Sequence, residues 1–193
     1  MSEDALLSVL RQQPSLVRLM DALASDPLPG WYVGAGIIYQ TWWNHRSGQP
    51  LDAWIDDVDL VYFDPNDLEA SAEAQIQARL AALTAPLPLD VNNQARVHRW
   101  YPAVFGKEIP PYTSTEAAIA TWPTTASSIG LTVRDGAWKL CAPFGLDDLL
   151  NMIARPNPVL IPRAVYEKKV ARWSRCWPNL TVLPWAQYRR TIS

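Results

Sequence analysis

The chain has 193 residues, 49% of them hydrophobic and 19% charged, with a formal net charge of −2. That is long enough for a well-buried core, too hydrophobic for intrinsic disorder, and too acidic for a surface that coats nucleic acid evenly. Any polyanionic ligand must therefore meet a local cluster of Lys and Arg, and a small phosphorylated substrate suits that balance better. Cys141 and Cys176 are too few for a disulfide framework, so no disulfide-linked partner is expected. The opening MSEDALLSVL lacks the basic and apolar segments of a secretory signal, and no apolar stretch nears the roughly 20 residues that cross a bilayer. A cytoplasmic location away from the membrane is the expectation. The 10 tryptophans are expected mostly in the core, because large aromatics supply buried area.

Apolar residues at helical spacing predict two short helices over residues 4–10 and 15–23, divided by Pro14. After the breaker Asp26-Pro-Leu-Pro-Gly30, residues 31–33 read as a strand, Gly34-Ala-Gly36 as a tight turn and residues 37–43 as a helix. Trp42 and Trp43, being adjacent, point in different directions and are not expected to face the core in the same way. His45 falls in a polar loop with no visible partner. Residues 54–63 are rich in β-formers and predict a strand, and residues 67–83, with Asp67 as N-cap, predict a helix.

Residues 87–97 return to an extended pattern, while residues 100–111, with Pro102, Gly106, Pro110 and Pro111, read as a loop. Thr113 and Glu116 match a capping box ahead of a short helix that stops at Trp122-Pro123. Asp135-Gly136 between two short apolar runs predicts a type I′ hairpin. Helices are predicted over residues 145–153 and 163–173, and the tail after Pro178 shows no periodicity.

The chemistry concentrates in Ile55-Asp56-Asp57-Val58-Asp59-Leu60. Charges inside an otherwise apolar strand are costly unless solvated or paired, and period two places Asp57 and Asp59 on one face with Asp56 on the other. Two carboxylates on one face repel, and a hard divalent cation relieves that repulsion. The plainer reading is a strand end facing water. A third acid, Asp90, lies in the next strand candidate, and if that strand continues, Asn92, Gln94, Arg96 and His98 share its face. Arg96 and His98 would then lie near the acids, placed to meet phosphate.

A strand, a small-residue turn entering a helix, a D-x-D strand and a later third acid resemble the nucleotidyltransferase superfamily that includes DNA polymerase β. A closer likeness is to a bacterial nucleotidyltransferase-like family once known only as a domain of unknown function. It is carried by Gly34-Ala-Gly36, Ile55 to Leu60, Leu89 to His98, Trp122-Pro-Thr-Thr-Ala126 and Arg155-Pro-Asn-Pro158. The superfamily usually has Gly-Gly or Gly-Ser at the turn, so Gly-Ala-Gly departs from it. The resemblance implies an α+β fold, a mixed β-sheet flanked by helices with additional C-terminal helices. A single domain is expected, with a core over residues 30–142 and a helical portion over residues 143–193. It also implies two Mg²⁺ or Mn²⁺ ions on Asp57, Asp59 and Asp90, with Gly34 and Gly36 approaching phosphate oxygens. A nucleoside monophosphate would pass from an NTP donor to a hydroxyl on a small molecule, an RNA end or a protein. Asp90 would serve the attacking oxygen and help accept its proton.

Two other readings stand beside this one. Gly34-x-Gly36-x-x-Tyr39 mimics a dinucleotide-binding fingerprint, but Tyr39 fills the place where a last glycine allows close helix packing. A fold of this kind could also persist as a non-catalytic nucleotide-binding or regulatory module. Lys168, Arg172 and Arg175 share one helical face, which serves either solubility or the embrace of a triphosphate.

Overall fold

The computed structural model describes residues 2–185. Two helices, α1 (Glu3–Leu10) and α2 (Pro14–Ser25), precede strand β1 (Tyr32–Gly34) and helix α3 (Gly36–Arg46). Strand β2 (Val58–Tyr62), helix α4 (Ala70–Thr84) and strand β3 (Leu89–Asn93) follow, then a 3-10 turn (Gln94–Arg96) running into α5 (Val97–Phe105). The chain continues through α6 (Thr115–Ile119), β4 (Gly130–Arg134), β5 (Ala137–Cys141), α7 (Asp147–Leu150), β6 (Ile153–Ala154), α8 (Arg163–Cys176) and β7 (Thr181–Val182).

Five strands make one mixed sheet in the order β3-β2-β1-β4-β5, and β6 pairs with β7 in a small second sheet. β2 and β3 are parallel, with α4 as their crossover, whereas β1 is antiparallel to both β2 and β4. This is the expected α+β fold, and the antiparallel β1 excludes the dinucleotide-binding architecture, whose sheet is parallel from its first strand. Asp135 and Gly136 both take positive φ, 52° and 71°, as the predicted I′ hairpin requires.

Helix α3 is the centre of the molecule, with every residue from Gly36 to Asn44 buried. A helix enclosed on all sides needs no amphipathic stripe, so Trp42 and Trp43 are both inside, on different flanks. Their indole N–H groups donate to the carbonyls of Leu150 (3.2 Å) and Leu149 (3.0 Å), pinning the segment around α7. Trp43 also meets Trp173 and Trp177 edge-on, with ring centroids 5.2 and 5.3 Å away, and Trp177 donates to Asn44 Oδ1 at 2.9 Å. α8 is thereby locked against α3, and its inward face is aimed at the sheet's acid-bearing end. His45 belongs to α3, not to a loop, with its ring 5.9 Å from that of Trp42.

Several predicted boundaries move, each for a local reason. β2 begins only at Val58; Trp54 adopts φ 64°, which no strand can include, and residues 55–57 lead into it outside the ladder. Asp67 accepts from the Glu69 N–H (3.1 Å) in an Asx turn and does not cap α4, which starts at Ala70. The short helix α6 is capped by Ser114, not Thr113, through the Ala117 N–H. Residues 97–105 are helical, with Pro102 inside α5 and Gly106 closing it in the left-handed conformation. The predicted helix over residues 145–153 is a single turn, and residues 153–154 pair with residues 181–182, whose strand needs a partner too distant in sequence to show as periodicity. Residues 186–193 of the predicted helical portion and tail lie outside the described residues.

No helix among the described residues is long and apolar enough to cross a membrane. Cys141 and Cys176 are both free and partly buried.

Candidate active site

The register of the sheet brings the acids together. Asp59 on β2 stands opposite Gly34 on antiparallel β1 and opposite Asp90 on parallel β3, so the three form one row across adjacent strands. Asp57 lies one residue ahead of β2, where period two no longer applies. It therefore shares a cleft with both Asp59 and its predicted opposite, Asp56.

The carboxylates feel one another. Burial, then the charges of Asp57 and Asp90, push the Asp59 pKa up to about 6, and the Gly36 backbone N–H bonded to its carboxylate opposes the shift. Asp57 is raised by desolvation and by Asp90 and Asp56. Asp90 is exposed, with its Oδ2 accepting from Asn92 Nδ2 at 2.9 Å.

Lys169 is the principal cation against this group. It sits on α8 facing Asp59, Asp57 and Asp56, with its Nζ 5.1 Å from the Trp173 ring centroid. Desolvation lowers its pKa, and the three carboxylates work against that lowering. The spacing that singles out the Lys168 face overlooks it. A signal for it exists in the sequence: Val165, Lys169 and Arg172 also recur at i, i+4 and i+7, and Val165 and Trp173 mark that side as inward. Arg172 is ion-paired with Asp56 and donates to the Trp54 carbonyl at 3.2 Å, while Lys168 and Arg175 are exposed along the same cleft.

Two clefts meet at Asp59 and Lys169. One, about 640 Å³, holds Asp56 and Asp57 with Lys168, Arg172 and Arg175. The other, about 380 Å³, holds Asp90 among Trp100, Tyr101, Phe105 and Trp122.

The two glycines differ. Gly36 opens α3, its N–H bonded to Asp59, and a Cβ there would stand 3.0 Å from Gln40 Nε2. Gly34 is covered by Trp122: a Cβ would lie 2.6 Å from that ring, so its small size makes room for that side chain. Trp122 is held by two of the motifs that carried the resemblance. Asn157 Nδ2 donates to the carbonyls of Ala120 and Trp122, both at 2.8 Å, and the Thr125 N–H donates to the Arg155 carbonyl at 3.1 Å.

Arg96 and His98 do not extend the row of acids. β3 stops at Asn93, whose side chain ties the Asp64 and Asp67 carbonyls (2.8 and 2.7 Å) and caps the turn that follows. Arg96 consequently turns to Glu73 on α4, and that carboxylate also accepts from the Asn93 N–H at 2.7 Å. His98 falls in α5, with Nδ1 buried and without a partner among the described residues. Removing Arg96 would strand a carboxylate whose side chain is only 11% exposed. Arg96→Met should therefore lower unfolding free energy by about 3–5 kcal/mol in denaturant titration, Glu73→Gln in the same chain should recover part of it, and NTP affinity should stay put.

No curated protein sequence matches significantly. A solved structure titled as an NMR structure revealing a CCA-adding enzyme head domain superposes with a TM-score of 0.77 at 21% identity, covering 95% of this chain and 96% of that one. At that identity the likeness concerns the fold. A nucleotidyltransferase family matches residues 21–182, a span that holds the row Gly34, Asp59 and Asp90, both clefts and Lys169, and to that nucleotidyltransferase family this chain belongs.

Proposed function

We propose that the protein moves a nucleoside monophosphate from an NTP to an acceptor hydroxyl, with Mg²⁺ or Mn²⁺ held by Asp57, Asp59 and Asp90. The observation supporting this reading is the row of Gly34, Asp59 and Asp90 standing between a cationic cleft and an aromatic one. Hard oxygen donors in one another's field suit a small divalent ion. Among the described residues no three such groups close into a cage, and Mg²⁺ is commonly held by one or two carboxylates with water and substrate phosphate completing its shell. Bound ions would neutralise the phosphates and favour the attacking alkoxide.

The chain's own part is positioning. Lys168, Lys169 and Arg172 hold the β- and γ-phosphates in the cationic cleft, leaving the α-phosphorus at the Asp59 row. The acceptor oxygen attacks in line, forming the new P–O bond as the bond to pyrophosphate breaks, and its proton passes to Asp90, whose exposure lets it return that proton to water.

The test is labelling of cell-extract fractions with each of four α-labelled NTPs. Asp90→Asn should slow labelling roughly 10²–10³-fold while the fold is kept. Equal rates for variant and wild type would remove Asp90 from the site. The open carboxylate group also favours a second reading, a binding module without turnover; calorimetry showing NTP bound with Mg²⁺ but no pyrophosphate released would select it.

A further inference from the structure

The two clefts beside Asp59 are chemically unlike. Lys168, Arg172 and Arg175 all belong to one of them. The charged residues lining the other are Asp59, Asp90 and Lys169, the first and last shared at the boundary. Asp90 lines this second cleft and not the first, so the acid assigned to the attacking hydroxyl lies on the side where, among the described residues, Lys169 at the boundary is the sole lining cation.

For the nucleotidyl transfer proposed above, we infer that the acceptor occupies the aromatic cleft and is a small uncharged polyol with an apolar ring face, a sugar or a nucleoside. Trp100, Trp122 and Phe105 offer flat apolar surface for such a ring, while Asn92, Gln94 and Thr121 offer amide and hydroxyl groups for its hydroxyls. A volume of about 380 Å³ has room for a compound of that size. A nucleic-acid end or a sugar phosphate would bring its phosphates beside Asp59 and Asp90 with only Lys169 in reach, whereas nucleic-acid binding draws most of its contacts from phosphates. The acceptor O–H adds to the α-phosphorus, pyrophosphate leaves with the broken P–O bond, and the proton goes to Asp90.

The test uses the full chain with Mg²⁺ and each NTP, reading NTP binding by calorimetry and pyrophosphate release in parallel. The acceptors are methyl glycosides and free nucleosides in separate arms, the matching sugar phosphates and nucleoside monophosphates, and a short oligoribonucleotide. Release should rise at least tenfold with one of the uncharged arms over its phosphorylated counterpart. Trp100→Ala should raise the acceptor KM tenfold or more while leaving NTP affinity unchanged, and Phe105→Arg should shift preference toward the phosphorylated acceptor. NTP binding with release stimulated only by phosphorylated acceptors or the oligoribonucleotide, or by no acceptor, overturns the inference and leaves the NTP-site reading standing. So does a Trp100→Ala variant that loses NTP affinity, because the cleft would then hold the donor base. If no NTP binds at all, the transfer reading itself has failed, and this inference with it.

Discussion

Asp59→Asn should lower nucleotidyl transfer roughly 10²–10³-fold and, in metal-free buffer, make the protein more stable above pH 6. The two effects have one cause. Burial and the neighbouring charges of Asp57 and Asp90 lift the Asp59 pKa from 3.8 to about 6, so the folded state holds its proton over a range in which the unfolded chain has released it. The contribution of Asp59 to stability is therefore greatest below about pH 4, falls as pH rises toward 6, and above that bears the whole cost of ionising the buried carboxyl, about 3 kcal/mol, since each tenfold change in proton affinity is worth about 1.36 kcal/mol. Asparagine keeps the shape and discards the charge. Thermal melts across pH 4 to 8 should thus converge for wild type and variant at the acid end and separate by several degrees at the neutral end. Mg²⁺ should raise the wild-type melt at pH 7 and leave the variant nearly unmoved, because the cation supplies the compensation only where the carboxylate remains. Wild type and variant responding equally to Mg²⁺ would remove Asp59 from any metal clamp.

Lys169→Met should weaken NTP binding roughly 10- to 100-fold, the size expected for losing a hydrogen bond from a partly desolvated charged group to phosphate. Lys168→Ala or Arg175→Ala should each change it far less, since both side chains are exposed and screened by water and salt. The lysine has a second duty, as the principal cation facing Asp59, Asp57 and Asp56. Its loss should therefore push the Asp59 carboxyl further up, extending to higher pH the interval over which stability falls. Calorimetry with each NTP and the same melts would check both; unchanged affinity would hand the triphosphate to the exposed lysine face alone.

Lys169 also marks where reading the sequence reaches its limit. The helix around it is legible from spacing, as are the I′ hairpin from Asp-Gly and the α4 crossover from its Ala, Glu and Gln content, because those depend on residues a few positions apart. The D-x-D segment and Asp90 are legible as anomalies, charges among β-formers whose cost asks for a reason. Which helix face turns inward is set by packing. Trp43, Trp173 and Trp177 interlock and rotate α8 so that Lys169, not Lys168, meets the acids.

Arg96 makes the same point from the other side. Period two places it with Asp90 only if the strand runs on, and the strand ends at Asn93, whose Oδ1 accepts from the Ala95 N–H and caps the 3-10 turn that carries Arg96 away from the row. Gly34 is legible as a place where a side chain would not fit, while the tertiary structure supplies the reason, a tryptophan ring from 88 residues later in the chain. The sequence by itself marked most of the helices and strands and singled out the acids as anomalies, because periodicity and desolvation cost act locally. Strand register, the division of the site into two unlike clefts and the choice of cation were decided only in the tertiary structure, because each depends on contacts between segments that sequence spacing does not relate.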